Sequence, residues 1–183
     1  MTTLQERIAN ERRRLRLVRM KMVGAIEAQA QSDESYVPFY VAAADYIDST
    51  MQRLHEQDIK MRNMIIEKVG EVDDSVEKAL GELDERLEGA KAQLKPFLEA
   101  RDALRENGTE ALERFEKIGK EYSDFIVANM GHHGGTTDLA AKLFSTSDWE
   151  YMADVTDEQL QQDDDLFERV EQSAPDAVRH ISA

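Results

Sequence analysis

The sequence predicts an all-α protein: an up-down-up-down four-helix bundle with short C-terminal helices covering one end. Three observations carry this. Only 3 prolines and 9 glycines punctuate the 183 residues, so the elements are few and long, which suits helices and not many short strands. Apolar residues recur in alternating steps of three and four through four long segments, the period of a helix that buries one stripe. Charged residues make up 33% of the chain, more than an average domain carries and in keeping with long exposed helical faces. Four such helices joined by short loops bury their stripes against one another.

The first helix is expected over about 3–29, on the seam Leu4, Ile8, Leu15, Val18, Met22 and Ala25. The polar stretch QSDESYVP leads to Pro38, which suits a loop and the first turn of a second helix. That helix, over 38–69, carries Tyr40, Ala44, Ile47, Met51, Leu54, Met61 and Ile65. Gly70 closes it, and Asp73 or Asp74 offers an N-cap for the third. The third, over 74–105, has the most regular seam: Val76, Leu80, Leu83, Leu87, Ala90, Leu94 and Phe97, continued by Leu104. Pro96 should kink it. ENGT at 106–109 reads as a stop and a capping threonine. The fourth helix, over 109–133, uses Leu112, Phe115, Ile118, Tyr122, Phe125 and Ile126, then runs into His132 and His133.

Gly134 and Gly135 end that helix, and Thr136 or Thr137 caps a short one through Phe144. Ser147–Asp148 reads as the next cap, with Trp149 and Tyr151 as anchors of the cover. Thr156 starts a last amphipathic helix on Leu160, Phe167 and Val170. The cover spans 136–172, the single domain 1–172, and 173–183 is expected to be a frayed tail.

Composition narrows the function classes. The chain has no cysteine, which excludes disulfides, thiolate metal sites and cysteine nucleophiles. MTTLQERIANERRR has no apolar run behind its charges, and no segment approaches the ~20 apolar residues of a membrane span. A soluble, cytoplasmic protein is expected. The net charge of −15 argues against nucleic acid or anionic membrane as partners. Arg12, Arg13, Arg14, Arg16, Arg19 and Lys21 crowd the first helix, while Asp163, Asp164, Asp165 and Glu168 crowd the last. These opposite charges are expected to meet on neighbouring helices or between subunits, so a homodimer or a protein partner through the helical faces is the association to look for.

Candidate chemistry comes from polar residues that fall where the apolar period expects a hydrophobic one. The step from Ile8 to Leu15 lands on Glu11. The step from Leu54 to Met61 lands on Asp58, with His55 one turn earlier; the fourth seam, carried past Phe125, lands on His132 or His133. A carboxylate turned into a bundle core must be protonated, paired with a cation or bound to a metal. Histidine and carboxylate ligands from facing helices are how bundles hold iron or manganese. His55, Asp58, Glu11 and one of the two terminal histidines, His132 or His133, are therefore the candidate metal ligands. The competing reading of the histidine pair is a helix end, where imidazolium favours the negative end of the dipole.

FYVAAADYIDSTMQRLHEQDIKM (39–61) and NMGHHGGTTDLAAKLFSTSDWEYMADVT (129–156) resemble hemerythrin-like bundle proteins. The resemblance implies a four-helix up-down bundle with a non-haem iron centre that binds oxygen or senses redox state. It carries over only His55, Asp58 and His133; Tyr122, from its own place in the fourth seam, is expected behind them. The family's histidine–glutamate pair four residues apart is replaced here, by Ile59 after His55 and by Thr137 after His133. The alternative function is a helical interaction or structural protein without metal or catalysis. A metalloprotein must converge His55, Asp58, Glu11 and His133, whereas an interaction protein must leave a usable face exposed.

Overall fold

A computed structural model describes residues 4–28, 33–129 and 134–182. All regular structure among the described residues is helical: α1 (Leu4–Ala28), α2 (Tyr36–Lys68), α3 (Asp74–Asn107), a 3-10 turn (Gly108–Ala111), α4 (Leu112–Asn129), α5 (Gly135–Leu143), α6 (Thr146–Met152), α7 (Asp157–Ser173) and α8 (Asp176–Arg179). His132 and His133, expected to end the fourth helix, lie outside the described residues.

Local chemistry sets the helix ends. Gly70 and Gly108 have φ of 66° and 57°, a conformation in which a side chain is strained, so they stop α2 and α3. The Asp73 side chain accepts from the amides of Ser75 and Val76 and caps α3. Pro96 is exposed inside α3, which runs on through it. The capping threonine read at Thr109 instead opens the 3-10 turn, so α4 begins only at Leu112. Gly134, not a threonine, is the N-cap of α5. Ser145 caps α6 with Asp148 as the reciprocal partner, and Thr156 caps α7 with Gln159. Both are capping boxes, each satisfying two backbone N–H groups that a helix start would leave unpaired.

Helix directions follow from the ion pairs. Arg105 pairs with Asp45, Arg101 with Asp48, Arg86 with Asp58 and Arg62 with Asp84, so α2 and α3 form an antiparallel hairpin. Helix α1 packs on α2 and α4, and α4 on α3. Helix α7 was expected to cover an end of the molecule. Instead it packs along α2 through Tyr46, Ser49 and Arg53, and beside α1 through Arg14 and Lys21. The reason is in its own seam: Leu166 and Val170 are buried in the same core as Leu15 and Ile47.

Two apolar clusters result. The larger one gathers Phe39, Tyr40, Phe97, Phe115 and Tyr122 with parts of α1, α4 and α7. The smaller one joins the end of α2 to the start of α3 under α5 and α6, through Met61, Ile65, Leu80, Leu83, Ala140 and Phe144. Trp149 packs edge-on to Phe144 at 5.3 Å and does anchor this end, whereas Tyr151 is 61% exposed and lies under Lys60 instead. The expected frayed tail is held: Ala174 and Val178 are 1% exposed, in the larger core. Helix α8 docks on α1 where Gly24 leaves room; a Cβ there would stand 2.7 Å from Ile181 Cδ1.

Candidate functional site: a polar layer between two cores

Along α2 the larger core ends at Met51 and the smaller begins at Met61; along α3 the corresponding gap is 88–93. Residues 52–60 of α2 therefore cross a waist that belongs to neither core. His55 and Asp58 lie there, and Leu54, on the seam side, is 37% exposed. On α1, Glu11 stands just before Leu15, the first α1 residue of the larger core. The polar interruptions read on α2, His55 and Asp58, thus coincide with the boundary between two apolar bodies, and Glu11 with the edge of the larger one.

His55 is half-buried, and burial together with Lys91 lowers its pKa, favouring neutral imidazole. Burial raises the Asp58 carboxyl pKa, against the pull of Arg86 and His55. Arg86 Nη2 lies 3.4 Å from Asp58 Oδ2, so this carboxylate takes the cation-paired option of the three open to a buried acid. Glu11 differs: its Oε1 is buried without a hydrogen-bond partner. Tyr122, expected behind the ligands, is buried in the larger core and feels the charge of Asp48, which is ten positions or about 15 Å of helix from Asp58. Among the described residues no group of three or more ligand-type side chains gathers. His55, Asp58 and Glu11 therefore do not by themselves make a metal set, and His133 lies outside the described residues.

Among the described residues, the ion pair with both partners buried is another. Arg53 on α2 and Asp163 on α7 form an ion pair whose side chains are each 9% exposed, with Ser49 Oγ 3.5 Å from the same carboxylate. Burial and the Asp163 charge push the Tyr46 hydroxyl up to about 12, so it stays a neutral phenol. Thr50 Oγ1 lies within electrostatic reach of Tyr46 one turn away, without a well-formed hydrogen bond. Around this pair, Arg14 Nη1 meets Asp164 at 2.5 Å and its guanidinium lies 4.8 Å from the Phe167 ring centroid. The nearly buried Lys21 meets Glu171 at 2.7 Å. Arg7 donates to the Ala153 carbonyl. Sequence reasoning had Asp163 only as one of an acidic run. The signal for more was present: Leu160, Phe167 and Val170 step onto Asp163 as Leu54 and Met61 step onto Asp58.

These are matched charges that fix helices to one another; none forms a nucleophile–base pair. Among the described residues, a surface depression of about 280 Å³ between α3 and α5 is shallow and lined by Lys78, Glu82, Asp138 and Lys142. No helix among the described residues is long and apolar enough to cross a membrane. No family model, curated protein or solved structure matches this chain.

Proposed function

We propose that this chain is a hemerythrin-like up-down-up-down bundle, formed by α1 to α4 with α7 alongside. In this reading the ligand positions have been given over to ion pairs, and the protein works as a helical interaction module without a metal-dependent reaction. The observation that carries the reading is the Asp58–Arg86 pair at 3.4 Å: the seam carboxylate in the position of a ligand has its charge met by a cation from the facing helix. Exposed side chains on α1, α2 and α7 supply surfaces for a partner.

Two observations favour a second reading. The buried, unpartnered Oε1 of Glu11 and an imidazole held toward its neutral form at His55 are what a metal centre completed by His133 would require. Elemental analysis of untagged protein, beside Asp58→Asn, separates the two. The interaction reading expects sub-stoichiometric metal in both proteins. Near-stoichiometric iron or manganese in the parent overturns it. If that metal is lost in Asp58→Asn, Asp58 is a ligand; if it is retained, the centre stands on other residues.

A further inference from the structure

We propose that the face formed by α1 and α7 is a self-complementary electrostatic surface, and that its partner is a second copy of this chain. This rests on the interaction reading and names its partner. The height of the two helices relative to each other is fixed by two ion pairs, Arg14–Asp164 and Lys21–Glu171. Both span 150 positions and recur after seven residues on each helix, so α1 and α7 run parallel and in register. Leu15, one position after Arg14, is buried, so Arg13 turns toward the outer side of α1. Asp163, one position before Asp164, is buried, so Asp165 turns toward the outer side of α7. Arg12, Arg13 and Arg16 are exposed, as are Asp157, Asp165 and Glu168.

None of these six residues carries an ion pair within the chain among the described residues. Arg13 bonds Asn10, Gln161 donates to Asp165, and Gln172 donates to Glu168. A basic stripe therefore lies beside an acidic stripe at the same height, on one face of a molecule whose net charge is −15. A two-fold axis parallel to the two helices lays the α1 of each copy over the α7 of the other. Arg13 and Arg16 then come within a turn of the partner copy's acidic stripe, twice over. This is the isologous arrangement a dimer needs. A nucleic acid or an anionic membrane would meet only the basic half, against the repulsion of the rest of the protein.

Salt gives the proposal a sign. Two bodies of net charge −15 repel, so a dimer made by an apolar patch would tighten as salt screens that repulsion. A dimer made by facing opposite stripes must weaken. Light scattering on the eluting full-length chain at about 50 mM and about 500 mM NaCl is expected to show dimer at the lower salt, with its dissociation constant rising at least about tenfold at the higher. Arg13→Glu with Arg16→Glu, and Asp165→Arg with Glu168→Arg, should each give monomer, with helical circular dichroism unchanged. Mixing the two variants should restore a 1:1 dimer, because each then offers one sign on both helices. A parent that is monomeric at low salt, a dimer indifferent to both variants, or a mixture that stays monomeric would each overturn the proposal. None of these outcomes bears on metal content, which tests the interaction reading separately.

Discussion

Asp163 and Asp58 show how differently two inward carboxylates can be handled. Asp163 and Arg53 are both nearly buried, so removing one partner strands the other charge where water cannot reach it. Asp163→Ala should cost about 3–5 kcal/mol, measured by urea unfolding. Arg53→Met with Asp163→Leu should recover most of that loss, because the apolar isosteres strand nothing. Asp58 retains 34% side-chain exposure and an opposed Arg86, so its effect is small, and its sign comes from burial. A carboxyl whose pKa is raised in the folded protein holds its proton more tightly there than in the unfolded chain. Its contribution to stability is therefore best at acid pH and worsens as pH rises through the raised value. Asp58→Asn should stabilise the protein at pH 7 by about 0.5 kcal/mol, a degree or two in Tm. The difference from the parent should vanish below the ordinary aspartate range, near pH 3.5. A loss of stability at pH 7 would show that the Arg86 pair outweighs desolvation. That Asp58 faces inward was legible from the step between Leu54 and Met61. That Arg86 answers it was not, because the pairing depends on how α2 and α3 register.

At the scale of the element, the long helices were legible because the same residues that make the pattern make the core. Val76, Leu80, Leu83, Leu87 and Phe97 are all buried, and the cap is Asp73, one of the two aspartates the sequence offers. What the pattern could not carry was the destination of the C-terminal segments. Helix α7 has a stripe like those of the other helices, and nothing in a stripe says whether it lies across an end or along a side. Its place is decided by partners distant in sequence: Tyr46 and Arg53 on α2, and Arg14 and Lys21 on α1. The tail is the sharper case. Ala174, Val178 and Ile181 keep the helical step but are too few to announce a helix, yet Gly24 opens a seat for two of them on α1. Burying Val178 fully contributes about 1.5–3 kcal/mol. Deleting residues 174–183 should therefore lower Tm by about 4–8 °C and leave helical circular dichroism otherwise unchanged. A truncated chain that melts with the parent would return the segment to the frayed state its composition suggests.

For the molecule as a whole, the consequence of two cores is uneven stability along continuous helices. The smaller core has the end of α2 and the start of α3 as its floor and α5 and α6 as its cover. Helix α6 lays only the partly buried Trp149 and Met152 on this core and is otherwise fastened by charge: Lys68 meets Asp148 at 3.0 Å, Lys60 lies 4.9 Å from the Tyr151 ring centroid, and Arg7 bonds the Ala153 carbonyl just past its end. Such contacts hold less firmly than the packed aromatic row of the larger core, where Tyr40, Phe115, Phe97 and Tyr122 follow one another at 5.0, 5.7 and 4.7 Å. Local opening should begin where few apolar contacts are shared, so hydrogen exchange at 61–87 and 135–152 should proceed by a lower-energy route than at 39–47 and 112–126. Leu83→Ala removes a 2% exposed side chain from the smaller core and should cost about 2–5 kcal/mol, read as faster exchange confined to the first two segments. Phe97→Ala, in the larger core, should accelerate exchange everywhere, because the smaller core has no scaffold once α2 and α3 separate. The waist at 52–60 makes the asymmetry possible: it carries His55 and Asp58 instead of apolar packing, so strain in one core is poorly passed to the other. Equal acceleration of all four segments by Leu83→Ala would mean that the two clusters unfold as one unit and that the waist transmits what its composition says it should not.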